Sequence, residues 1–313
     1  MLKIKQNEVM NLKVLLIINP KAGRKRLTKE LNEIEANLKK NKELEIVTMY
    51  TKKEFNAEAI IKSYDLSDIG LVILCGGDGI LNEGINGLMS NNNKVPMSFI
   101  PFGTMNDFAK TIKMPINKLK LSKYLSKKVN LEVENIDVGK VNERYFAYIC
   151  AFGNFADIGY ATSKKTKNYI GSIVYAIHIL RNLTKMKSHK ITIKSKGLSF
   201  TDDVIFGAVS DTIYIAGMKW YKRDELNLQD GMLDMILIRK PKNFLEYLKI
   251  IKGFIKKEYT IENNYYHRKI KGLEIICDEP IEWTVDGEFC GKMKDVKISS
   301  VKKSINIAIP KEK

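Results

Sequence analysis

A glycine turn between an apolar strand and a helix constrains this chain more than any other feature. The run Gly76-Gly77-Asp78-Gly79 follows the apolar residues 71–75 and precedes residues 81–89, whose apolar positions have helical spacing. Such a turn lets backbone N–H groups and the positive end of a helix dipole approach a phosphate. A tight turn whose glycines only supply positive φ angles explains the same residues. The run alone leaves both interpretations open.

Short apolar runs that predict buried strands alternate with helical patterns in the first part of the chain. The strands are predicted at 13–18, 45–50, 71–75 and 97–100, and the helices at 27–38, 57–64 and 81–89. This alternation favours a parallel sheet with helices on both faces. In such sheets, ligands bind beyond the carboxyl ends of the strands.

Small and polar residues follow the other strands at that same edge. They are Asn19, Ala22 and Gly23 after the first strand, Thr51 after the second, and Gly103, Thr104 and Asn106 after the fourth. Their convergence with the Gly76 run indicates a phosphate site more strongly than any one of them does. Thr104 also fits a helix N-cap, with Asp107 completing a capping box.

The alternation breaks down at residues 115–136, and strand-like segments dominate afterwards. They are predicted at 144–150, 190–195, 204–209, 213–216, 233–238, 273–277, 281–285 and 296–308, with helices near 167–183 and 243–257. The predicted fold is an α/β N-terminal domain with a parallel sheet, residues 1–134, and a mainly antiparallel β-sandwich domain, residues 135–302. We expect a cleft between the domains, open to the Gly76 edge.

Composition excludes several classes of protein. No run of about 18 apolar residues occurs in the 313-residue chain, so no spanning helix is predicted. The first residues lack the apolar core of a secretory signal. The four cysteines and three histidines lack paired metal spacing, which argues against a zinc site or a histidine-based triad. Buried thiols in a reducing cytoplasm are the expected state of the cysteines.

The net charge of +17 implies an anionic partner: nucleic acid, a membrane surface or a phosphorylated substrate. No nucleic-acid-binding motif is present, so no nucleic acid partner is expected. Between Asp157 and Asp202 the chain has lysines and arginine but no acidic residue. The helix at 243–257 is amphipathic and basic, which fits either an anionic bilayer or a core-packed helix with a solvated lysine face.

Two carboxylate clusters in the second half could serve phosphoryl transfer, which needs a cation and a group that positions the attacking hydroxyl. One contains Asp230 and Asp234, and the other is Asp286-Gly287-Glu288. Asp-Gly between strands also predicts a hairpin turn. A turn facing a cleft can carry a catalytic carboxylate, so the two interpretations are compatible.

Four separated motifs resemble the diacylglycerol kinase catalytic-domain family, which includes bacterial soluble lipid kinases and the sphingosine and ceramide kinases. They are 19–23, the Gly76 run with Asn82-Glu83 and Asn86-Gly87, the stretch 101–109, and Asp230-Gly231 with Asp286-Gly287-Glu288. They span residues 19–288 in the family's order. The Gly-Gly-Asp-Gly element also occurs in NAD kinases and phosphofructokinases, whereas the 101–109 element is more specific to lipid kinases.

The resemblance implies an ATP-dependent lipid kinase that phosphorylates a hydroxyl of a lipid such as diacylglycerol. It implies a nucleotide site at Asn19, Ala22, Gly23, Thr51, Gly76, Gly77, Asp78, Gly79, Asn82, Glu83, Gly103, Thr104 and Asn106. It implies Mg²⁺ at Asp230, with backbone carbonyls around Asn227 and Met232. The catalytic candidates are Asp78, with Asp286 or Glu288 as the base. A tail at about 303–313 is expected to pack back on the first domain.

One residue departs from the family's pattern. Ile80 stands where the family usually has threonine, so any role of that hydroxyl is lost. The expected partner is a lipid substrate at an anionic membrane surface, with a cytoplasmic, peripherally membrane-associated protein and a possible homodimer. The alternatives are a NAD kinase-like or other small-molecule kinase, and a non-catalytic nucleotide- or membrane-binding relative.

Overall fold

The computed structural model describes residues 12–21, 27–91, 93–103, 105–127, 131–153, 187–215, 217–222 and 226–310. The chain divides into two compact units. Unit 1 comprises residues 1–138 and 302–313, and unit 2 comprises residues 139–301. From the sequence, we predicted the boundary after residue 134 and a C-terminal tail, packing back on the first domain, from about residue 303.

Four parallel strands form the centre of unit 1. They are β1 (Leu12–Ile18), β2 (Leu44–Tyr50), β3 (Leu71–Gly76) and β4 (Met97–Pro101). Their order is β2-β1-β3-β4, and each neighbouring pair is parallel. All six residues of β3 and all five of β4 are buried, as expected for parallel strands covered on both faces.

Helices connect these strands. They are α1 (Leu27–Lys39), α2 (Ala57–Ser63), α3 (Asp78–Ser90), α4 (Asp107–Thr111) and α5 (Lys118–Ser126). The sequence began α3 at residue 81, but the helix starts directly after Gly77. Where the sequence indicated only that the alternation breaks down, at 115–136, the structure has α5, with Asn117 as its N-cap accepting a hydrogen bond from Lys120 N–H.

The end of the chain lies against β4 in unit 1. Strand β15 (Glu288–Pro310) places Ile307 opposite Met97 in a parallel pair. The Ser98 hydroxyl donates to the carbonyl of Ala308 at 2.9 Å. The side-chain amide of Asn306, on β15, donates to the carbonyl of Lys94, in the loop before β4, at 2.6 Å. The last strand therefore belongs to the sheet that carries the glycine turn.

Unit 2 is built from antiparallel strands, which confirms the prediction of a mainly antiparallel C-terminal region. Unit 2 contains part of β15 and part of β5 (Leu131–Val141). Its other strands are β6 (Arg144–Phe146), β7 (Ile149–Gly153), β8 (His189–Ser195), β9 (Leu198–Ser210), β10 (Tyr214–Ile215), β11 (Met218–Lys219), β12 (Leu233–Arg239), β13 (Tyr265–Ile270) and β14 (Gly272–Val285). The strands β9 and β14 are joined by β7 at one end and by β8 at the other. A two-layered sandwich stays a prediction.

One long helix, α6 (Phe244–Lys256), is described in unit 2, followed by a short 3-10 helix (Ile261–Asn263). The helix predicted near 167–183 and the basic stretch around it lie outside the described residues. None of the helices that the structure describes is long and apolar enough to cross a membrane.

Two predicted strand boundaries are wrong. The strands predicted at 273–277 and 281–285 are one strand, β14, whose register with β15 shifts between Ile276 and Ile281. The single strand predicted at 144–150 is two, β6 and β7, with a break at Ala147 and Tyr148. The break has a chemical cause, since these two N–H groups bond to a carboxylate described below.

Candidate active site

The Gly76 turn has the strand-to-helix geometry that the sequence predicts. Gly76 ends β3, Gly77 is the N-cap with an extended backbone (φ −88°, ψ −172°), and Asp78 is the first residue of α3. The N-terminal N–H groups of α3 therefore follow the glycines directly, at the positive end of the helix dipole. This turn can receive an anion.

A second turn, after β4, lies against the first. The backbone N–H of Phe102 donates to the carbonyl of Gly76 at 2.6 Å. A methyl group placed on Gly103 would lie 3.2 Å from the α-carbon of Gly77. Glycine at position 103 therefore lets the two backbones approach this closely, because a side chain there would press on Gly77. The turns at 76–79 and 101–106 thus form one feature at the carboxyl ends of adjacent parallel strands.

Asn106 fixes the second turn. Its backbone is left-handed (φ 50°), and its side-chain amide donates to the carbonyl of Gly103 at 2.9 Å. Its Oδ1 atom is buried and accepts no hydrogen bond from the residues that the structure describes. Helix α4 begins at Asp107 with Asn106 as N-cap, so the prediction of Thr104 as N-cap is wrong. Thr104 itself lies outside the described residues.

The ends of β1 and β2 lie next to the same edge. Asn19 N–H donates to the carbonyl of Cys75 at 2.9 Å, and its side chain accepts from Lys21 N–H at 2.9 Å. Thr51 N–H donates to the carbonyl of Ile18 at 2.9 Å. The structure therefore brings Asn19 beside the Gly76 turn, with Thr51 one strand further out. The nucleotide candidates Ala22 and Gly23 lie outside the described residues.

Two predicted nucleotide-binding residues have structural contacts within unit 1. Glu83 accepts a hydrogen bond from the backbone N–H of Ala57 at 3.0 Å, at the start of α2. Asn82 is buried and accepts from the Asn86 amide through its carbonyl, at 2.8 Å, and its Oδ1, at 3.2 Å. These contacts join α3 to α2 and stiffen the helix behind the turn. A direct contact of either residue with nucleotide stays a prediction.

Ile80 packs onto the glycine turn. Its side chain is buried, and a methyl group placed on Gly76 would lie 2.7 Å from its Cγ2 atom. A side chain on residue 76 and a branched side chain on residue 80 therefore compete for the same space. Where the resembled family usually has the hydroxyl of a threonine, this chain has an isoleucine side chain that packs under the turn.

Gly76→Ala is expected to lower the free energy of unfolding by about 1–3 kcal/mol, because the new methyl overlaps Ile80. Gly77→Ala is the matched control, since its methyl would meet nothing nearer than 3.6 Å and its φ of −88° suits alanine. Urea unfolding of both variants checks this. The double variant Gly76→Ala/Ile80→Ala should lose less stability than the sum of the two single variants, and additive losses would contradict the assigned overlap.

In unit 2, Asp286 and Gly287 form the predicted hairpin turn between β14 and β15. Both have positive φ (48° and 85°), as a type I′ turn requires, and Val285 pairs with Glu288 across the turn. The Asp286 carboxylate is 2% exposed. It accepts three backbone hydrogen bonds, from Ala147 at 2.7 Å, Tyr148 at 3.0 Å and Ile149 at 3.1 Å. This carboxylate holds the break between β6 and β7.

The next carboxylate along the hairpin has different surroundings. Glu288 is exposed, as is Phe289 beside it. On the inner side, burial together with Cys290 and Asp286 raises the pKa of the Cys150 thiol well above its usual value, so that thiol stays neutral. The two catalytic candidates of the hairpin are thus distinguished, because Asp286 is committed to backbone donors whereas Glu288 faces outward.

The candidate metal residues lie in a polar turn before β12. Asn227 Oδ1 accepts from Gln229 N–H at 3.0 Å, and Asp230 Oδ1 accepts from Met232 N–H at 2.8 Å. The other oxygen of Asp230 lies 3.6 Å from Lys269 Nζ on β13. Sequence reasoning missed Lys269, because its place beside Asp230 depends on the β12–β13 register. The neighbouring residues 223–225 lie outside the described part.

The turn at 227–232 offers the oxygen ligands that Mg²⁺ prefers, namely one carboxylate with backbone carbonyls. Among the described residues there is no group of three or more histidine, cysteine, aspartate or glutamate side chains that could hold a metal. A single carboxylate is nevertheless compatible with Mg²⁺, which keeps several waters and usually takes one or two carboxylates. The donor set therefore fits a weakly held Mg²⁺.

Comparison with known proteins identifies relatives of this architecture. Residues 13–141 match the family model of the diacylglycerol kinase catalytic domain. A diacylglycerol kinase of Bacillus subtilis (strain 168) is 27% identical over 300 residues, covering 95% of this chain and 96% of that protein. One of Staphylococcus carnosus (strain TM300) is 27% identical over 303 residues, covering 97% of each.

Solved structures show the same fold. A crystal structure of a putative diacylglycerol kinase from Bacillus anthracis str. Sterne is 25% identical, covers 98% of both chains and has a TM-score of 0.77. A second structure, of a diacylglycerol kinase from that organism, has a TM-score of 0.73 at 24% identity, covering 96% of this chain and 97% of the other. The likeness extends over almost the full length of this chain, which is therefore similar to bacterial diacylglycerol kinases, and residues 13–141 carry the match to their catalytic domain.

Proposed function

We propose that this chain is an ATP-dependent lipid kinase that phosphorylates the hydroxyl of a lipid such as diacylglycerol. The observation that carries the proposal is the contact between the two glycine turns, at Gly77 and Gly103, in a chain whose relatives are diacylglycerol kinases. Paired turns at the carboxyl ends of parallel strands expose backbone donors to a phosphate chain. The substrate class comes from the relatives.

The nucleotide is proposed to bind at the Gly76 turn. The first N–H groups of α3 would bind its phosphates, and Asn19, Thr51 and the buried Oδ1 of Asn106 would line the same edge. Asp78, at the start of α3, would act on the phosphates through a cation or through water. Ala22, Gly23 and Thr104 belong to the proposal on sequence grounds alone.

Mg²⁺ is proposed to be held by Asp230 with backbone carbonyls near Asn227 and Met232. Bound there, the ion would supply positive charge that offsets the negative charge developing on the transferred phosphoryl group. The ammonium group of Lys269, 3.6 Å from Asp230, competes for the same carboxylate. Occupation of the site would therefore require Lys269 to move aside or to share that oxygen.

Glu288 is the proposed base. A bond forms between the lipid hydroxyl oxygen and the γ-phosphorus, the bond from that phosphorus to the β,γ-bridging oxygen breaks, ADP leaves, and Glu288 accepts the hydroxyl proton. Its exposure leaves its oxygens accessible to a substrate, whereas the oxygens of Asp286 already accept three backbone hydrogen bonds. Asp286 then has a positioning role, because it shapes the hairpin that carries Glu288.

Glu288→Gln is expected to lower kcat about 10²- to 10⁴-fold with diacylglycerol in mixed vesicles, because a proton acceptor is removed. The melting temperature should not change, since the side chain is exposed. Glu282→Gln is the matched control, an exposed glutamate on β14 that pairs with Lys292 at 3.3 Å, and should keep full activity. Full activity of Glu288→Gln would reassign the base.

The relatives do not favour the alternative of a soluble-substrate kinase, such as a NAD kinase-like enzyme. They are diacylglycerol kinases, and this chain matches them over almost their full length. Peripheral association with an anionic membrane and a homodimer are part of the proposal. The excess of lysine supports the first, since a charge of +17 attracts anionic surfaces.

A further inference from the structure

Helix α6 packs against unit 2 with one face only. Tyr247, Ile250 and Gly253 are its buried residues. The Tyr265 hydroxyl donates to the carbonyl of Ile250 at 2.8 Å, and the ring of Phe254 meets Trp220 edge-on at 5.0 Å between centroids. The helix is therefore fixed in place by contacts along this buried face.

The outward side of α6 is apolar where solvent is expected. Phe244, Leu245, Leu248 and Ile255 are 68%, 69%, 44% and 55% exposed. They account for four of the nine large apolar side chains that are exposed in the described part of the chain. Phe244, Leu248 and Ile255, with half-buried Ile251, follow the spacing of one helical stripe. A contiguous exposed apolar patch of this kind marks a site of interaction with a protein or a membrane.

Lysines border this stripe. Lys249, Lys252 and Lys256 are exposed and lie along the adjacent side of the helix, beside Leu245. The only acidic residue of α6 is Glu246, which is turned to the start of the helix and accepts from the Lys242 backbone N–H at 2.7 Å. The exposed side therefore combines large apolar side chains with positive charge and has no carboxylate of its own.

We infer that the stripe Phe244–Leu248–Ile251–Ile255, with its lysine border, is a docking surface for an anionic lipid bilayer. A basic amphipathic helix that lies in the membrane interface buries its apolar side at the acyl boundary and holds its lysines among the headgroups. A second copy of this chain is a poorer partner for the stripe, because the lysine borders of the two copies would meet and repel each other. The inference rests on the proposed association with an anionic membrane and names the surface that makes it, and it does not depend on which reaction is catalysed.

The test is co-flotation of the full chain, without nucleotide, with vesicles of phosphatidylglycerol and phosphatidylcholine or of phosphatidylcholine alone. Binding is expected only to the anionic vesicles and is expected to fall at high salt. The triple variant Lys249→Glu/Lys252→Glu/Lys256→Glu should lose about fivefold in affinity, or more, for each lysine. Leu248→Ser/Ile255→Ser should also lose most of the binding.

Matched control variants distinguish binding through this surface from binding through net charge or through any exposed apolar side chain. Lys190→Glu/Lys194→Glu/Lys196→Glu changes the net charge equally at exposed lysines on and beside β8, and Ile116→Ser removes an exposed apolar side chain of unit 1. Both should keep binding within about threefold. Equal losses in these controls, or no binding of the unmodified chain to anionic vesicles, would overturn the inference.

Insertion can be observed directly with Phe244→Trp. The native Trp220 and Trp283 are buried, at 2% and 0% exposure, so the new indole reports on α6. Its emission should shift to the blue on adding anionic vesicles and be quenched by brominated acyl chains. An unchanged emission would contradict the inference. So would a concentration-dependent dimer that Leu248→Ser/Ile255→Ser abolishes, since the stripe would then bind a second copy.

Discussion

Asp78→Asn should lower kcat/KM for phosphate transfer about a thousandfold while the protein stays folded. The carboxylate is the first residue of α3, directly after Gly77, where the proposed nucleotide phosphates would lie. Loss of one preorganised charged group at a phosphoryl-transfer site has an effect of this order. The loss in unfolding free energy should stay at about 1 kcal/mol or less, the value of an acidic residue at a helix N-terminus.

The matched control for Asp78 is Asp68→Asn. Asp68 is an exposed carboxylate of the same unit that pairs with Lys13 at 2.6 Å, and exposed pairs contribute little to stability. Steady-state kinetics with labelled ATP and thermal unfolding on both variants provide the comparison. Unchanged turnover in Asp78→Asn would remove the Gly76 turn from the proposed reaction.

Asp286→Ala should destabilise unit 2 by about 3–5 kcal/mol. Three backbone N–H groups, of Ala147, Tyr148 and Ile149, would lose their acceptor in a buried site, and alanine tolerates the left-handed backbone poorly. Asp286→Asn should cost less, about 2 kcal/mol, because asparagine accepts this backbone conformation and keeps one acceptor oxygen. Urea unfolding followed by circular dichroism gives both values.

The control for Asp286 is Asp295→Ala, an exposed carboxylate on β15, the strand that follows the turn, which should change stability by less than about 0.5 kcal/mol. Together these variants separate a structural role of Asp286 from a chemical one. If Asp286→Ala unfolds like the unmodified chain and loses only turnover, Asp286 is the base and the assignment of Glu288 is wrong.

The elements that the sequence predicted well are those whose signals are local. The length and apolar content of the runs were enough to predict the buried strands β3 and β12, and the residue pair Asp286-Gly287 was enough to predict a turn. Asn117 and the apolar pair Leu121 and Leu125 could have revealed α5, since an N-cap before apolar residues four apart is a local signal.

What the sequence could not predict depends on distant partners. The break between β6 and β7 arises because their intervening N–H groups bond to Asp286, which is 139 residues away from Ala147. Likewise, the contact of Gly77 with Gly103 requires β3 and β4 to be neighbours, and the place of Lys269 near Asp230 requires the β12–β13 register. Motif spacing identified candidate residues, but which of them share a site depends on these pairings.

The role of Ile80 shows the same limit. The sequence marks it as a lost hydroxyl, whereas the structure gives it a packing function under Gly76. A side chain that fills the space beneath the turn supports its backbone conformation without touching a ligand. We therefore expect the departure from threonine to be compatible with nucleotide binding.

Transfer of labelled γ-phosphate from ATP to lipid tests the central claim most directly. The unmodified chain would be incubated with Mg²⁺ and anionic vesicles that contain diacylglycerol, phosphatidylglycerol, ceramide or sphingosine in turn. The proposed function predicts a labelled lipid product that requires Mg²⁺ and one of these lipids and is absent with Asp78→Asn. Label that never enters a lipid, or transfer to a soluble acceptor that ignores the vesicles, would contradict it.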